Sequence, residues 1–155
     1  MLLWRISNHL ELTGLGGQRL KGRFHTPMSG KRIVYLSEHP AVALIENLVN
    51  LSGDPNDLPT RFQLLKVACK ESIPVGELST SQLSGIDERD FESTQAIGDA
   101  WLADRSSALL RVPSIPSPES WNYLLNPLHP DASLVKIEWA RHITYDKRLF
   151  RLTHS

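Results

Sequence analysis

A single cysteine, Cys69, leaves the chain without an internal disulfide, a usage that fits a reducing cytoplasm. It sits in the apolar stretch "RFQLLKVACK" and reads as a small core residue rather than a nucleophile. Net charge is missing too, because 17 Lys and Arg offset 17 Asp and Glu. That balance argues against a non-specific binder of nucleic acid or of a membrane surface. It also leaves association with other proteins unopposed by self-repulsion. The longest strictly apolar run, residues 41–45, is far short of a membrane span. Arg5 interrupts the apolar N-terminal stretch and no cleavage-like segment follows, so no signal peptide is expected. The six histidines are scattered, with no H-x3-H pair, so neither they nor the lone cysteine provide zinc-ligand spacing. A G-x-S-x-G elbow, a P-loop and a G-x-G-x-x-G run are all absent.

What is present is an ordinary globular composition, 41% hydrophobic and 22% charged over 155 residues. That length suits one domain, 1–155, around a single core. "LLWRIS" (2–7) reads as a strand, and residues 11–31 as a structured glycine-rich loop holding five of the nine glycines. "RIVYLS" (32–37) is a second strand, followed by a helix that begins near Ser37 and ends by residues 52–53. "DPNDLP" is a turn and "RFQLLKVAC" a third strand. Residues 71–92 read as a surface loop, and 93–107 as a second helix behind a Ser93/Thr94 cap. "ALLRVPS" (108–114) is a strand. Half of the ten prolines fall in 113–130, too dense for a helix or a central strand, so a stiffened loop is expected. "SLVKIEWA" (133–140) alternates as a strand, and "RLFRL" (148–152) is a candidate closing edge strand. The expected fold is a compact α+β domain with a mostly antiparallel, split sheet and a few helices.

The helix "EHPAVALIENLVN" carries one acid inside its apolar run. At about 100° per residue, Ala41, Val42, Leu44, Ile45, Leu48, Val49 and Leu51 cover one half of it. Glu46 falls roughly 40° beyond Val42, at the rim of that half. Two readings are open: a solvated helix glutamate, or a carboxylate opening into a cleft. Tyr35 ends the preceding strand, Arg23 ends the glycine-rich loop, and Ser114 stands where a later strand meets the prolines. Arginine, aromatic ring, carboxylate and hydroxyl together suit a phosphorylated, ring-bearing ligand.

The order "LTGLGGQRLKGRFH…GKRIVYLSEHPAVALIENLVNL…LLRVPSIP…NYLLNPLHPDAS…YDKRLF" resembles the RES-domain family, the toxins of Xre–RES toxin–antitoxin modules. The resemblance runs over nearly the whole chain. Its most specific parts are the Tyr-x10-Glu spacing, "VPS" and "NPLHP". It implies an ADP-ribosyltransferase-like fold, with Arg23, Glu46 and Ser114 as the catalytic Arg, Glu and Ser. Tyr35, Arg5 and Asn126 fall where the family has further cleft residues. Lys21, Phe24 and His25 depart from the family's usual run at "KGRFH", so the loop is expected to hold its ligand differently.

The chemistry so implied is cleavage of the nicotinamide–ribose bond of NAD, as substrate and not as cofactor. A fixed carboxylate stabilises the oxocarbenium-like ribose that develops. Arginines grip the pyrophosphate, Tyr35 offers a face to the nicotinamide, and Ser114 offers a hydroxyl. Water, phosphate or a protein side chain can be the acceptor. The resemblance further implies an Xre-type antitoxin partner and allows a homodimer within that complex, in the cytoplasm. The rival readings are an RNA-directed toxin using His25 or His129 with Arg23, and an inactive toxin-like binding domain. Neutral net charge and few aromatics count against the first.

Overall fold

The computed structural model describes residues 1–51 and 62–149. In chain order the elements are β1 (Leu2–Ile6), β2 (Val34–Ser37), α1 (Pro40–Asn50), β3 (Phe62–Cys69), β4 (Val75–Glu77), α2 (Thr80–Ser84), α3 (Phe91–Asp104), β5 (Leu109–Pro113), β6 (Trp121–Leu125) and β7 (Val135–Ile143). Among the described residues the strands form one seven-stranded sheet in the order β4-β5-β6-β2-β1-β3-β7. Only β4 and β5 run parallel; the other neighbours are antiparallel. This is the expected mostly antiparallel α+β domain.

The sheet is narrowest in its middle. β1 keeps register with β3 along its whole length, but meets β2 through one registered pair, Trp4 opposite Ser37. On either side of that joint the halves fold over a shared core. Leu3, Leu65, Val67 and Val135 from β1, β3 and β7 pack in one cluster with Val34, Leu36, Leu109 and Leu125 from β2, β5 and β6. Side chains alternate faces along a strand, so Tyr35 and Leu124 point the other way. There, Leu110, Val112 and Leu124 meet Trp101 of α3, Phe24 of the glycine-rich loop and Ile33 just before β2. The split in the sheet is therefore a one-pair joint in a continuous hydrogen-bonded order.

Several expectations give way. The proline-rich stretch does hold a central strand, β6, between β5 and β2. Its prolines at 113, 116, 118, 127 and 130 all lie outside residues 121–126, so every N–H of the strand remains free to pair. Residues 71–92 contain β4 and α2, the latter opened by a Ser79–Gln82 capping box. α1 is capped by His39, whose Nδ1 accepts from the Ala41 N–H at 3.1 Å, while Ser37 stays in β2. α3 is capped by Asp90, which accepts from Ser93 N–H at 3.0 Å. The "DPNDLP" turn and residues 150–152 of the supposed edge strand lie outside the described residues; Leu149 is in a turn closed onto the Asp146 carbonyl at 3.0 Å. Among the described residues no helix is long and apolar enough to cross a membrane.

Candidate active site

Helix α1 does not bury the half that its apolar residues mark out. Ala41 and Val49 are exposed, whereas Val42 and Ala43 are buried and Glu46 is half-buried beside them. Glu46 lies three and four residues after this pair, one turn along the same face. The helix thereby turns its acid toward the joint in the sheet. The cleft that opens there, of about 250 Å³, is lined by Trp4, Arg5 and Ile6 of β1, Tyr35 and Ser37 of β2, Asn122 of β6, and Ala43, Glu46, Asn47 and Asn50 of α1.

The carboxylate is held by one oxygen. Glu46 Oε1 accepts from Ser114 Oγ at 2.7 Å and from Asn122 Nδ2 at 2.5 Å. Asn122 Oδ1 in turn accepts from Ser37 Oγ at 2.7 Å. Ser37, Ser114 and Asn122 are all buried, and each finds its partner inside this group, as buried polar atoms must. Strand register explains the meeting: Ser37 sits opposite Asn122 and Asn122 opposite Val112, two residues before Ser114. Among the described residues Oε2 makes no hydrogen bond, and Glu46 lines the cleft.

Arg5 brings the positive charge. Its Nη1 donates to the Glu11 carbonyl at 3.3 Å. Burial pulls its guanidinium below the ordinary value, and the Glu11 carboxylate opposes that shift; the group stays cationic. Tyr35 lines the cleft, but its hydroxyl is turned away from it. That oxygen accepts from Phe24 N–H at 3.1 Å and lies 2.8 Å from His25 Nδ1. His25 Nε2 lies 2.7 Å from the Leu20 carbonyl, which can only accept, so Nε2 carries the proton and Tyr35 donates to Nδ1. Burial pushes the Tyr35 phenol up and, as the leading cause, the His25 imidazole down. Both therefore stay neutral.

Two of the six expected site residues stand elsewhere. Arg23 does not line the cleft: its guanidinium donates to the carbonyls of Glu88 at 2.7 Å and Asp87 at 3.0 Å and lies 4.3 Å over the Phe91 ring. Asn126 is buried in the turn after β6, where its Oδ1 accepts from Leu128 N–H at 3.1 Å. The geometry thus gathers Glu46, Ser114, Arg5 and Tyr35, and leaves Arg23 and Asn126 out. The departures at "KGRFH" are structural in character, with Phe24 in the core and His25 bracing Tyr35. Asn122 and Ser37 were not anticipated. The signal for Asn122 is an amide inside the apolar run "WNYLL", on the face it shares with Leu124, whereas Ser37 carries the pattern of a helix cap and no separate signal. Among the described residues no three His, Cys, Asp or Glu side chains converge as a metal-ligand set.

Residues 2–148 match the RES domain. The chain is 39% identical to Toxin Res of Pseudomonas putida, over 97% of this chain and all of that protein. It is 30% identical to the Prs ADP-ribosylating toxin of a Sphingobium species, over 96% of each. Among solved structures, the M. tuberculosis MbcT–MbcA toxin–antitoxin complex contains a chain of the same fold, with a TM-score of 0.73 at 17% identity, over 97% of this chain and 87% of that one.

Proposed function

The chain belongs to the RES-domain family, and from that membership we propose that it is the toxin of a toxin–antitoxin module and depletes NAD by cleaving the nicotinamide–ribose bond, with water or phosphate as acceptor. The observation that carries this reading is Glu46, a carboxylate fixed through one oxygen by two donors, with Arg5 lining the same cleft. Nicotinamide leaves as a neutral molecule from a cationic ring and needs no general acid. The barrier is charge developing on the ribose, which a carboxylate already oriented in a half-buried cleft stabilises without reorganising. Glu46 Oε2 performs that role, Ser114 and Asn122 hold the carboxylate still, and Arg5 meets the pyrophosphate. A cleft of about 250 Å³ is smaller than sites that enclose a whole drug-sized ligand, so NAD binds with part of its length outside. Arg23 contributes to this site only if its links to the Asp87 and Glu88 carbonyls break on binding.

Transfer of ADP-ribose to a protein is the second reading. It is favoured by the 30% identical relative named for ADP-ribosylating Prs. One assay separates the two: NAD loss followed by chromatography with purified protein, with Glu46→Ala as control, and buffers with and without phosphate. Loss in wild type alone supports the reading, and free ADP-ribose or its 1-phosphate names the acceptor. NAD that is stable until a target protein is added moves the reading to protein modification. NAD that is stable throughout, with folded protein, overturns both.

As a toxin the chain has an antitoxin partner, read here as Xre-type, within whose complex it can form a homodimer in the cytoplasm. We expect growth arrest when the wild type is expressed alone and normal growth with Glu46→Ala at equal soluble yield. Normal growth with soluble wild type would remove the toxin reading.

A further inference from the structure

We propose that Ser37 is a positioning residue for Glu46, acting through the amide of Asn122. The inference rests on the reading of Glu46 as the working carboxylate and adds a residue that lines the same cleft and is linked to Glu46 through Asn122.

The direction of each proton in the group follows from one fact: an ionised carboxylate only accepts. Ser114 Oγ therefore donates to Oε1, and Asn122 must aim its Nδ2, not its Oδ1, at the same oxygen. That choice turns Asn122 Oδ1 toward Ser37, whose hydroxyl then donates at 2.7 Å. The amide has two orientations of nearly equal shape. One places an N–H on Glu46 and the other would place a carbonyl oxygen against a carboxylate. The Ser37 hydroxyl favours the first by giving Oδ1 a donor where it is buried, and it polarises the amide so that Nδ2 donates more strongly. Without it, Oδ1 is a buried acceptor with no partner, and the bond to Glu46 alone holds the amide in place.

The backbone puts Ser37 where this matters. It is opposite Asn122 on one side and Trp4 on the other, the single registered pair that joins β2 to β1. The residue that orients the amide is thus also the one that closes the joint beneath the cleft. Its hydroxyl links the sheet to Glu46 on α1 through a single side chain.

Two readouts test this. In 15N-labelled protein, the Asn122 amide proton aimed at Glu46 is expected well downfield of its position in Glu46→Ala. Ser37→Ala should move that resonance toward the Glu46→Ala position, and Ser37→Thr, which keeps the hydroxyl, should return it. In NAD turnover, Ser37→Ala should lower kcat about fivefold, the size of one neutral hydrogen bond, with KM within about twofold, and Ser37→Thr should recover most of the loss. Where the alanine variant does not fold, Ser37→Cys, of similar volume and with a weak donor, has the same expected direction. A folded Ser37→Ala protein whose Asn122 resonance stays at the wild-type position overturns the proposal, whatever its stability. If wild type consumes no NAD, the functional reading fails, and the amide resonance still decides whether Ser37 positions Asn122.

Discussion

Glu46 uses its two oxygens unequally, and that asymmetry makes a sharp test of its role. Glu46→Gln keeps a carbonyl oxygen for Ser114 and Asn122, so the donors remain satisfied and the fold should hold. Its NH2 then faces the cleft where Oε2 was, reversing the polarity offered to a developing cation. We expect circular dichroism like wild type and NAD turnover lower by about a hundredfold or more, the scale of losing a preorganised electrostatic contact. Wild-type turnover in this variant would remove the carboxylate from the chemistry. His25 sets a second test. Its folded-state value is depressed by burial from the ordinary 6.5, with Lys31 adding to the effect. The unfolded chain therefore binds the proton more readily, and His25 contributes stability that is complete above about pH 6.5 and lost as pH falls through its lower folded value. Melting temperature should drop between pH 7.5 and 5.5 by more in wild type than in His25→Gln. Equal drops would show that the imidazole is not held neutral between Tyr35 and Leu20.

The glycine-rich loop shows how a segment with little regular structure is held by a helix. Segment 22–26 lies along α3. Thr94 Oγ1 donates to the Arg23 carbonyl at 2.7 Å, and Gln95 Nε2 to the Gly22 carbonyl at 3.0 Å. Asp99 accepts from Thr26 N–H at 3.1 Å and Thr26 Oγ1 at 2.6 Å, and pairs with Lys31 Nζ at 2.7 Å. Gly98 stands in the middle of this face because a Cβ there would overlap the Phe24 carbonyl oxygen. Gly98→Ala should therefore destabilise the protein by about 3 kcal/mol, an overpacking cost, against the small gain expected of alanine in a free helix. Urea unfolding measures it, and an unchanged midpoint would mean the loop does not sit on this face. None of this register was legible in the sequence, since loop 11–31 has no period to read. Legible elements were those with a clean period: β1, β2, β3, β5, β7 and the two long helices, the helices with caps two or three residues away from where the pattern put them. β6 escaped because proline was counted across a window wider than the strand, and β4 and α2 because three- and five-residue elements span less than two repeats of their periods. At the site, pattern brought out Glu46 at a helix rim and Tyr35 on the strand that feeds the helix. Ser114 stood out where a strand meets the prolines, Arg5 needed the family likeness, and Asn122 needed the register between β6 and β2, which is a property of pairing and not of either strand alone.

At the scale of the molecule, the one-pair joint between β1 and β2 raises the question of whether the two halves of the sheet are one folding unit or two. Backbone pairing argues for two, since the ladder all but breaks at Trp4 and Ser37. Packing argues for one, since Leu3 and Leu65 of one half share a buried cluster with Leu36 and Leu109 of the other, all of them essentially without solvent contact. Packing should win, because separating the halves exposes both inner faces and loses burial worth about 2 kcal/mol for each large side chain, whereas the joint itself contributes only a backbone pair or two at about 1 kcal/mol each. The four tryptophans allow this to be measured. Trp4 and Trp139 report on β1 and β7, and Trp101 and Trp121 on α3 and β6. Variants keeping one reporter in each half, the others replaced by phenylalanine, should unfold in urea with midpoints and slopes that agree once corrected for each variant's own stability by circular dichroism. Leu65→Ala, in the first half, should lower stability by about 3 kcal/mol and move both reporters together. If only the Trp139 reporter moves, the halves melt apart, the cleft between them is a domain boundary, and Ser37 at its base joins two bodies.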